Sequence, residues 1–246
     1  VVAARAISIQ VNMAAGQLVD NFRTAANPQI VKRLATGDLM GSKQLLLVST
    51  KYSYYLMFII CFPVCLLAYP LLKIWLGVVP DYTVIFLQLI VIQSLFQVFY
   101  TALYAKGQLK ENALISPTLG LISFPIVYFL FKVGYSPVAL SWASLLTYAT
   151  LGLVIKPILV VKIAGYYWKD ILGVFKPCLL VTAASLPIPI FLYNVMDVTN
   201  IMHFFFIGIV TVIIILLSIY WIGVDVLTKQ KVWSYIKRKL TSQKAV

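Results

Sequence analysis

Residues 3–32 read AARAISIQVNMAAGQLVDNFRTAANPQIVK, and this stretch decides the fold. It is polar in an ordered way. Ile7, Val11, Ala14, Leu18, Phe22 and Ala25 recur at steps of four and three, which puts them on one stripe of a helix. At roughly 100° per residue, Arg5, Asn12, Gly16 and Arg23 fall on one line, with Ser8 and Asp20 on its flanks. Gln10, Gln17, Asn21 and Thr24 form a second polar line beside it. Such a helix has lipid or a partner helix on one side and water or a polar cavity on the other. Polar side chains at membrane depth are costly, so they face a bundle interior or a wet pathway. A helix lying on the membrane surface is the competing reading, but such helices are dense in Lys and Arg on the polar face. Here amides and hydroxyls dominate, and the charged members are Arg5, Asp20 and Arg23. The expectation is a cavity-lining transmembrane helix over residues 3–26.

The rest of the chain sets that helix in a membrane. Hydrophobic residues make up 62% of the sequence and charged ones 11%, against roughly half and a quarter in soluble domains. The fold class expected is an all-α integral membrane protein, a polytopic helix bundle. Each span needs ~20 mainly apolar residues. Six further runs qualify, at about 52–72, 84–104, 114–130, 138–155, 179–193 and 202–221. The bundle therefore covers residues 1–223 with seven spans, and residues 224–246 form a basic tail. In the sixth run Pro187 and Pro189 interrupt a short segment, and Pro63 and Pro125 mark further kinks.

A net charge of +13 would point to nucleic acid in a soluble chain. Here the positive residues lie between apolar runs, so topology accounts for them and no nucleic-acid partner is expected. Lys32, Arg33, Lys43 and Lys51 fall in the first connection, Lys106 and Lys110 in the third, and Lys156, Lys162, Lys169 and Lys176 in the fifth. Six more occupy the tail, while the other side has only Lys73 and Lys132. Alternate connections thus hold sixteen positive residues against two, which predicts a cytoplasmic tail and an opening helix that runs inward. The chain opens on Val1-Val2 with no basic leader, and its first helix begins part-way. It is expected to be the C-terminal portion of a longer protein whose N-terminal half is missing. If that protein starts and ends in the cytoplasm, an odd number of spans precedes Val1.

Other polar features have plain structural readings. Cys61, Cys65 and Cys178 lie in apolar runs without His or carboxylate neighbours, which makes a poor zinc site. Tyr52, Tyr54, Tyr55, Tyr69, Trp75 and Tyr166-Tyr167-Trp168 flank spans as interfacial anchors do. Trp233, Ile236 and Leu240 oppose Lys237, Arg238 and Lys239, as in a short element lying on an anionic leaflet. There is no phosphate-binding glycine loop and no metal cluster, and the seven acids are scattered, with Asp20 alone well inside a span. No cofactor, no metal and no catalytic residue are called for, so an enzyme is not expected.

Several stretches resemble one family. Ala4 to Asn12 (ARAISIQVN), Asn21 to Lys32 (NFRTAANPQIVK) and Ala35 to Asp38 (ATGD) are similar to the bacterial polysaccharide flippases. These are the O-antigen and capsule repeat-unit translocases of the multidrug/oligosaccharidyl-lipid/polysaccharide (MATE-like) exporter superfamily. Pro70 to Gly77 (PLLKIWLG) with Pro80 to Thr83 (PDYT) resembles the outward end of a span, and Ala105 to Gln108 (AKGQ) a short cytoplasmic turn. The likeness covers most of the chain and is diffuse in the last two spans. It implies twelve or fourteen spans in two bundles, of which these would be the second. It also implies residence in the bacterial inner membrane and movement of an undecaprenyl-pyrophosphate-linked oligosaccharide by alternating access. Glycan polymerases or glycosyltransferases would be partners alongside membrane lipids. The family's cavity is cationic, and Arg grips phosphate oxygens bidentately. On that ground Arg5 and Arg23 are candidates for the headgroup, and Gln10, Asn12, Gln17 and Asn21 for sugar hydroxyls. Ser8 and Asp20 complete the candidate lining, with Asp20 placed to neutralise Arg23.

Two alternatives stand beside this reading. A cation-coupled multidrug exporter of the same superfamily would use acids in its bundle, for which Asp20 is the candidate. A glycan polymerase or ligase would need a large outer loop, whereas the outer connections here are short.

Overall fold

The computed structural model describes residues 1–101, 109–225, 228–230 and 233–234. Among them every regular element is helical. The chain runs through α1 (Val2–Ala35), α2 (Leu39–Leu66), α3 (Ala68–Leu76), α4 (Thr83–Thr101) and α5 (Leu109–Lys132). It continues through α6 (Ala139–Thr150), α7 (Lys156–Ala164), α8 (Trp168–Ser185), α9 (Pro187–Val195) and α10 (Ile201–Ser218). A π-helical turn at Leu151–Ile155 joins α6 to α7, and another at Ile219–Gly223 extends α10.

Among the described residues four helical stretches are long and apolar enough to cross a membrane: Leu39–Leu66, Ala139–Lys162, Trp168–Val195 and Ile201–Gly223. Thr83–Phe99 and Gly120–Lys132 are shorter apolar helices. With 34 residues α1 is longer than any of these, but its polar faces keep it out of that group. The protein is thus an all-α membrane protein. The expected amphipathic element at 232–240, apart from Trp233 and Ser234, lies outside the described residues, as do residues 105–108 and the end of the third expected span.

The helix boundaries differ from the sequence expectation in an informative way. The first connection is a three-residue turn, not a long loop. Gly37 takes φ +80°, and Asp38 caps α2 by accepting from the Gly41 amide at 2.9 Å. The Ser42 hydroxyl then donates to the Ile30 carbonyl at 3.1 Å, closing the hairpin. The polar residues that lowered hydropathy here are buried within α2: Ser42, Ser49, Lys51 and Ser53. Likewise Trp168–Val195 covers 28 residues, because Lys169, Asp170 and Lys176 sit on a helix despite their charge.

On α1 the buried residues are Ala4, Ser8, Ala15, Val19 and Ile30. They form one stripe, set between the expected apolar stripe and the Arg5–Arg23 line. Leu18 is 51% exposed, although it belongs to the expected stripe. Small residues won this face because they let backbones approach closely. Along it α1 packs on α2 and α4. The main core joins these helices to α8 and α10 through Tyr54, Tyr55, Phe58, Val91, Phe99, Cys178 and Ile215. Cys61, Cys65 and Cys178 are free thiols, two of them buried.

The π-helical turn that follows α6 meets α4 at very short range. A Cβ on Gly152 would lie 2.5 Å from the Phe96 carbonyl oxygen. The bare backbone of Gly152 inside the π-helical turn is what admits this approach. At the far end of α10, the Tyr55 hydroxyl donates to the Gly223 carbonyl at 3.3 Å. The Lys51 ammonium reaches the Asp225 carboxylate at 3.0 Å. Lys51 had read as a loop charge; it is a buried helical side chain whose stem lies in the core while its head reaches a carboxylate 67% exposed.

Candidate functional site: a polar cleft along the first helix

Three polar contacts climb the seam between α1 and α4. The Ser8 hydroxyl lies 2.9 Å from the Ala4 carbonyl and 3.3 Å from the Thr83 carbonyl. The Ser94 hydroxyl lies 2.6 Å from Asn12 Oδ1 and 3.0 Å from the Ile90 carbonyl, so its one proton serves either acceptor in turn. Arg23 Nη2 donates to the Val98 carbonyl at 3.0 Å. That carbonyl belongs to the last turn of α4, where the helix dipole favours a cation. These contacts fix how α1 is turned about its axis, and hence which side chains face outward from the seam.

Beside the seam opens a cleft of about 770 Å³. From α1 it is lined by Asn12, Met13, Ala14, Gly16, Gln17, Val19, Asp20 and Arg23. Met57 of α2, Ser94, Gln97 and Val98 of α4, and Tyr148 of α6 complete the wall. The size falls in the range of ~300–1,000 Å³ typical of small-molecule sites. Its lining is unusual for a membrane bundle, since amides, hydroxyls and one ion pair interrupt the apolar surface. Arg23 Nη1 lies 3.6 Å from Asp20 Oδ1; the arginine side chain is 16% exposed and the aspartate 73%. The lining therefore holds one positive and one negative group.

The structure divides the eight candidate residues. It gathers Asn12, Gln17, Asp20 and Arg23 in the cleft. Ser8 is buried against the first turn of α4 and serves packing. Gln10 and Asn21 are exposed but lie outside the cleft lining. Arg5 lies in a different pocket, of about 580 Å³, walled by Ile9, Phe86, Phe131, Tyr135 and Leu140 among others. Among the described residues its Nη1 is buried without a hydrogen-bond partner. Eighteen residues of helix separate Arg5 from Arg23, or ~27 Å along the axis. The two arginines share a helix line, as expected, but occupy separate pockets and cannot hold the two phosphates of one pyrophosphate together.

Ser94, Gln97 and Tyr148 were not anticipated. Ser94 and Gln97 stand three apart, a legible helical spacing, but Gln88 and Gln93 interrupt the same run and are not part of the cleft lining. Tyr148 carried no signal that separates it from an interfacial anchor.

Among the described residues beyond the spans, two groups are shifted from their usual range. Burial, with a further contribution from Asp170, pushes the Tyr166 hydroxyl up to about 12. Hydrogen bonds from Thr199 hold Asp197 below its ordinary value.

The geometry defines a helical membrane protein with a polar cleft opening beside a hydrogen-bonded helix pair. Compared with protein-family models, curated proteins and solved structures, the chain matches none.

Proposed function

We propose that the protein moves a lipid-linked oligosaccharide across the bacterial inner membrane, as an undecaprenyl-pyrophosphate glycan flippase for O-antigen, capsule or exopolysaccharide synthesis. The observation that carries this reading is the 770 Å³ cleft, whose amides and hydroxyls suit sugar hydroxyls inside a membrane bundle. The likeness of Ala4–Asn12 and Asn21–Lys32 to polysaccharide flippases points the same way. The expected topology is supported by Ile30, Leu46, Val160, Tyr166 and Ile171, which pack together. That cluster gathers the helix ends bearing Lys32, Arg33, Lys43, Lys162 and Lys169 at one end of the bundle, the cytoplasmic end in this reading. The glycan would occupy the cleft, and the bundle would present it to alternate sides of the membrane. Glycan polymerases and glycosyltransferases are the proposed partners.

The test is deletion of the full-length gene. Lipid-linked repeat units then accumulate on the cytoplasmic face, and the intact gene restores their export. Unchanged distribution on both faces would sink the proposal.

One observation favours a second reading, a cation-coupled exporter. Asp20 is an exposed carboxylate inside the cleft. Drug efflux abolished by Asp20→Asn, with surface glycan unaffected, would select that reading.

A further inference from the structure

The cleft has a charge pattern that narrows what enters it. Its guanidinium is already engaged. Arg23 donates to the Val98 carbonyl, faces Asp20, and leaves only 16% of its side chain exposed. Its carboxylate is not engaged in the same way. Asp20 is 73% exposed, and among the described residues its carboxylate makes no hydrogen bond; its nearest cation is 3.6 Å away, beyond hydrogen-bond distance. A ligand therefore meets an acceptor with negative charge, the amides of Asn12 and Gln17, and a cation turned into the wall.

We propose that Asp20 is a charge filter, so that the cleft takes an uncharged, hydroxyl-rich portion of the glycan and excludes acidic sugars and phosphate. The inference rests on the glycan-translocation reading and names which part of the substrate the site reads. An ionised carboxylate accepts hydrogen bonds from two hydroxyls at once, as a sugar diol offers. A uronate or phosphate brings a like charge to the same place, and like-charge juxtaposition disfavours its binding. Arg23 offsets part of this repulsion from 3.6 Å, but it is held in the wall by the Val98 carbonyl with 16% of its side chain exposed, so a ligand meets the carboxylate first. The pyrophosphate of a lipid-linked substrate must then lie outside this cleft, consistent with the ~27 Å between Arg23 and Arg5.

The experiment uses the full chain in lipid nanodiscs and titration calorimetry with three probes. These are a neutral hexose oligosaccharide, one of equal length carrying a single uronic acid, and inorganic pyrophosphate. The neutral glycan is expected to bind about tenfold or more tighter than the uronate, with little dependence on salt, and pyrophosphate is expected not to compete. Asp20→Asn brings the two glycans to within about twofold, and Asp20→Glu restores the preference. Because Asp20→Glu keeps the charge beside Arg23, it separates lost selectivity from lost folding. Equal binding of both glycans by the native chain, an unchanged ratio in Asp20→Asn, binding of neither glycan, or competition by pyrophosphate would each overturn the filter. Those outcomes leave the gene-deletion result untouched. If deletion leaves lipid-linked repeat units unmoved, the translocation reading fails whichever glycan binds.

Discussion

Replacing Gly152 with alanine tests the contact between α4 and the π-helical turn that follows α6. The added Cβ would stand 2.5 Å from the Phe96 carbonyl oxygen, and a backbone oxygen cannot swing aside. Reaching the 3.4 Å of an ordinary contact requires the helices to part by about 0.9 Å. Overpacking of this kind costs about 1–3 kcal/mol. At about 2–4 °C per kcal/mol for a chain of this size, the melting temperature drops by roughly 2–12 °C. The opening reaches the cleft, because Tyr148 lies one turn before Gly152 and Gln97 directly follows Phe96. Transport is therefore expected to fall further than stability alone explains. The assay is thermal unfolding in nanodiscs, with Gly173→Ala as control. Gly173 lies in α8 with nothing within 4 Å of its added Cβ. Alanine there gains about 0.5–1 kcal/mol of helix propensity. A Gly152→Ala protein that melts with the native chain would refute the close approach and the role given to the π-helical turn.

Further substitutions separate folding from function. Gly16 lines the cleft and has open space around it, so Gly16→Phe occludes the site while the melting temperature stays within about 2 °C; normal export in that variant would remove the cleft from the pathway. Arg23→Met loses a charge-assisted bond to the Val98 carbonyl, at a cost of about 1.5–3 kcal/mol read by thermal unfolding. Native stability in that variant would return Arg23 to the list of free ligand contacts. The neutral form of Tyr166 is favoured by folding, so its contribution is full below pH 10 and fades as pH rises toward about 12. Tyr166→Phe is expected to flatten that part of the stability–pH profile, and an unchanged alkaline limb would contradict the burial of this hydroxyl.

The sequence was most legible where periodicity and composition agree. The opening helix, its polar lines and the membrane class follow from residues 3–32 and from the apolar runs. The boundaries were harder, because hydropathy treats a charge as loop wherever it falls. Lys51 and Lys156 are buried on helices, and only tertiary structure reveals the carboxylate that receives Lys51. The turn at Gly37-Asp38 did carry readable signals, a glycine for positive φ and an N-cap aspartate. For the site, the face of α1 toward the cavity was visible but its depth was not. Spacing placed Arg5 and Arg23 on one line; it could not tell that α4 and α6 wall them into separate pockets, with α5 beside Arg5 and α2 beside Arg23. The contribution of α4 was hidden because Ser94 and Gln97 are brought to the cleft by the seam with α1, a contact between residues 82 apart in the Asn12–Ser94 pair.

That seam explains how a helix too polar to count among the spanning helices is held in a membrane bundle. Apolar burial anchors α1 only in part: Val19 and Ile30 are buried, but the rest of its packing stripe is two alanines and a serine, with little side-chain area to remove from solvent. The small stripe instead allows close approach, and close approach brings Ser8, Asn12 and Arg23 within reach of α4. In a medium poor in water, leaving one such group unpaired costs about 1–3 kcal/mol. The groups that fix the rotation of α1 thus lie on, or one turn from, those that make the cleft polar. It follows that the cleft cannot be made apolar one residue at a time without loosening its own wall. Substitutions at Asn12 and Arg23 will lower stability and transport together, whereas those at Gln17 and Asp20, which face the cleft outside the seam, will change ligand choice at near-native stability.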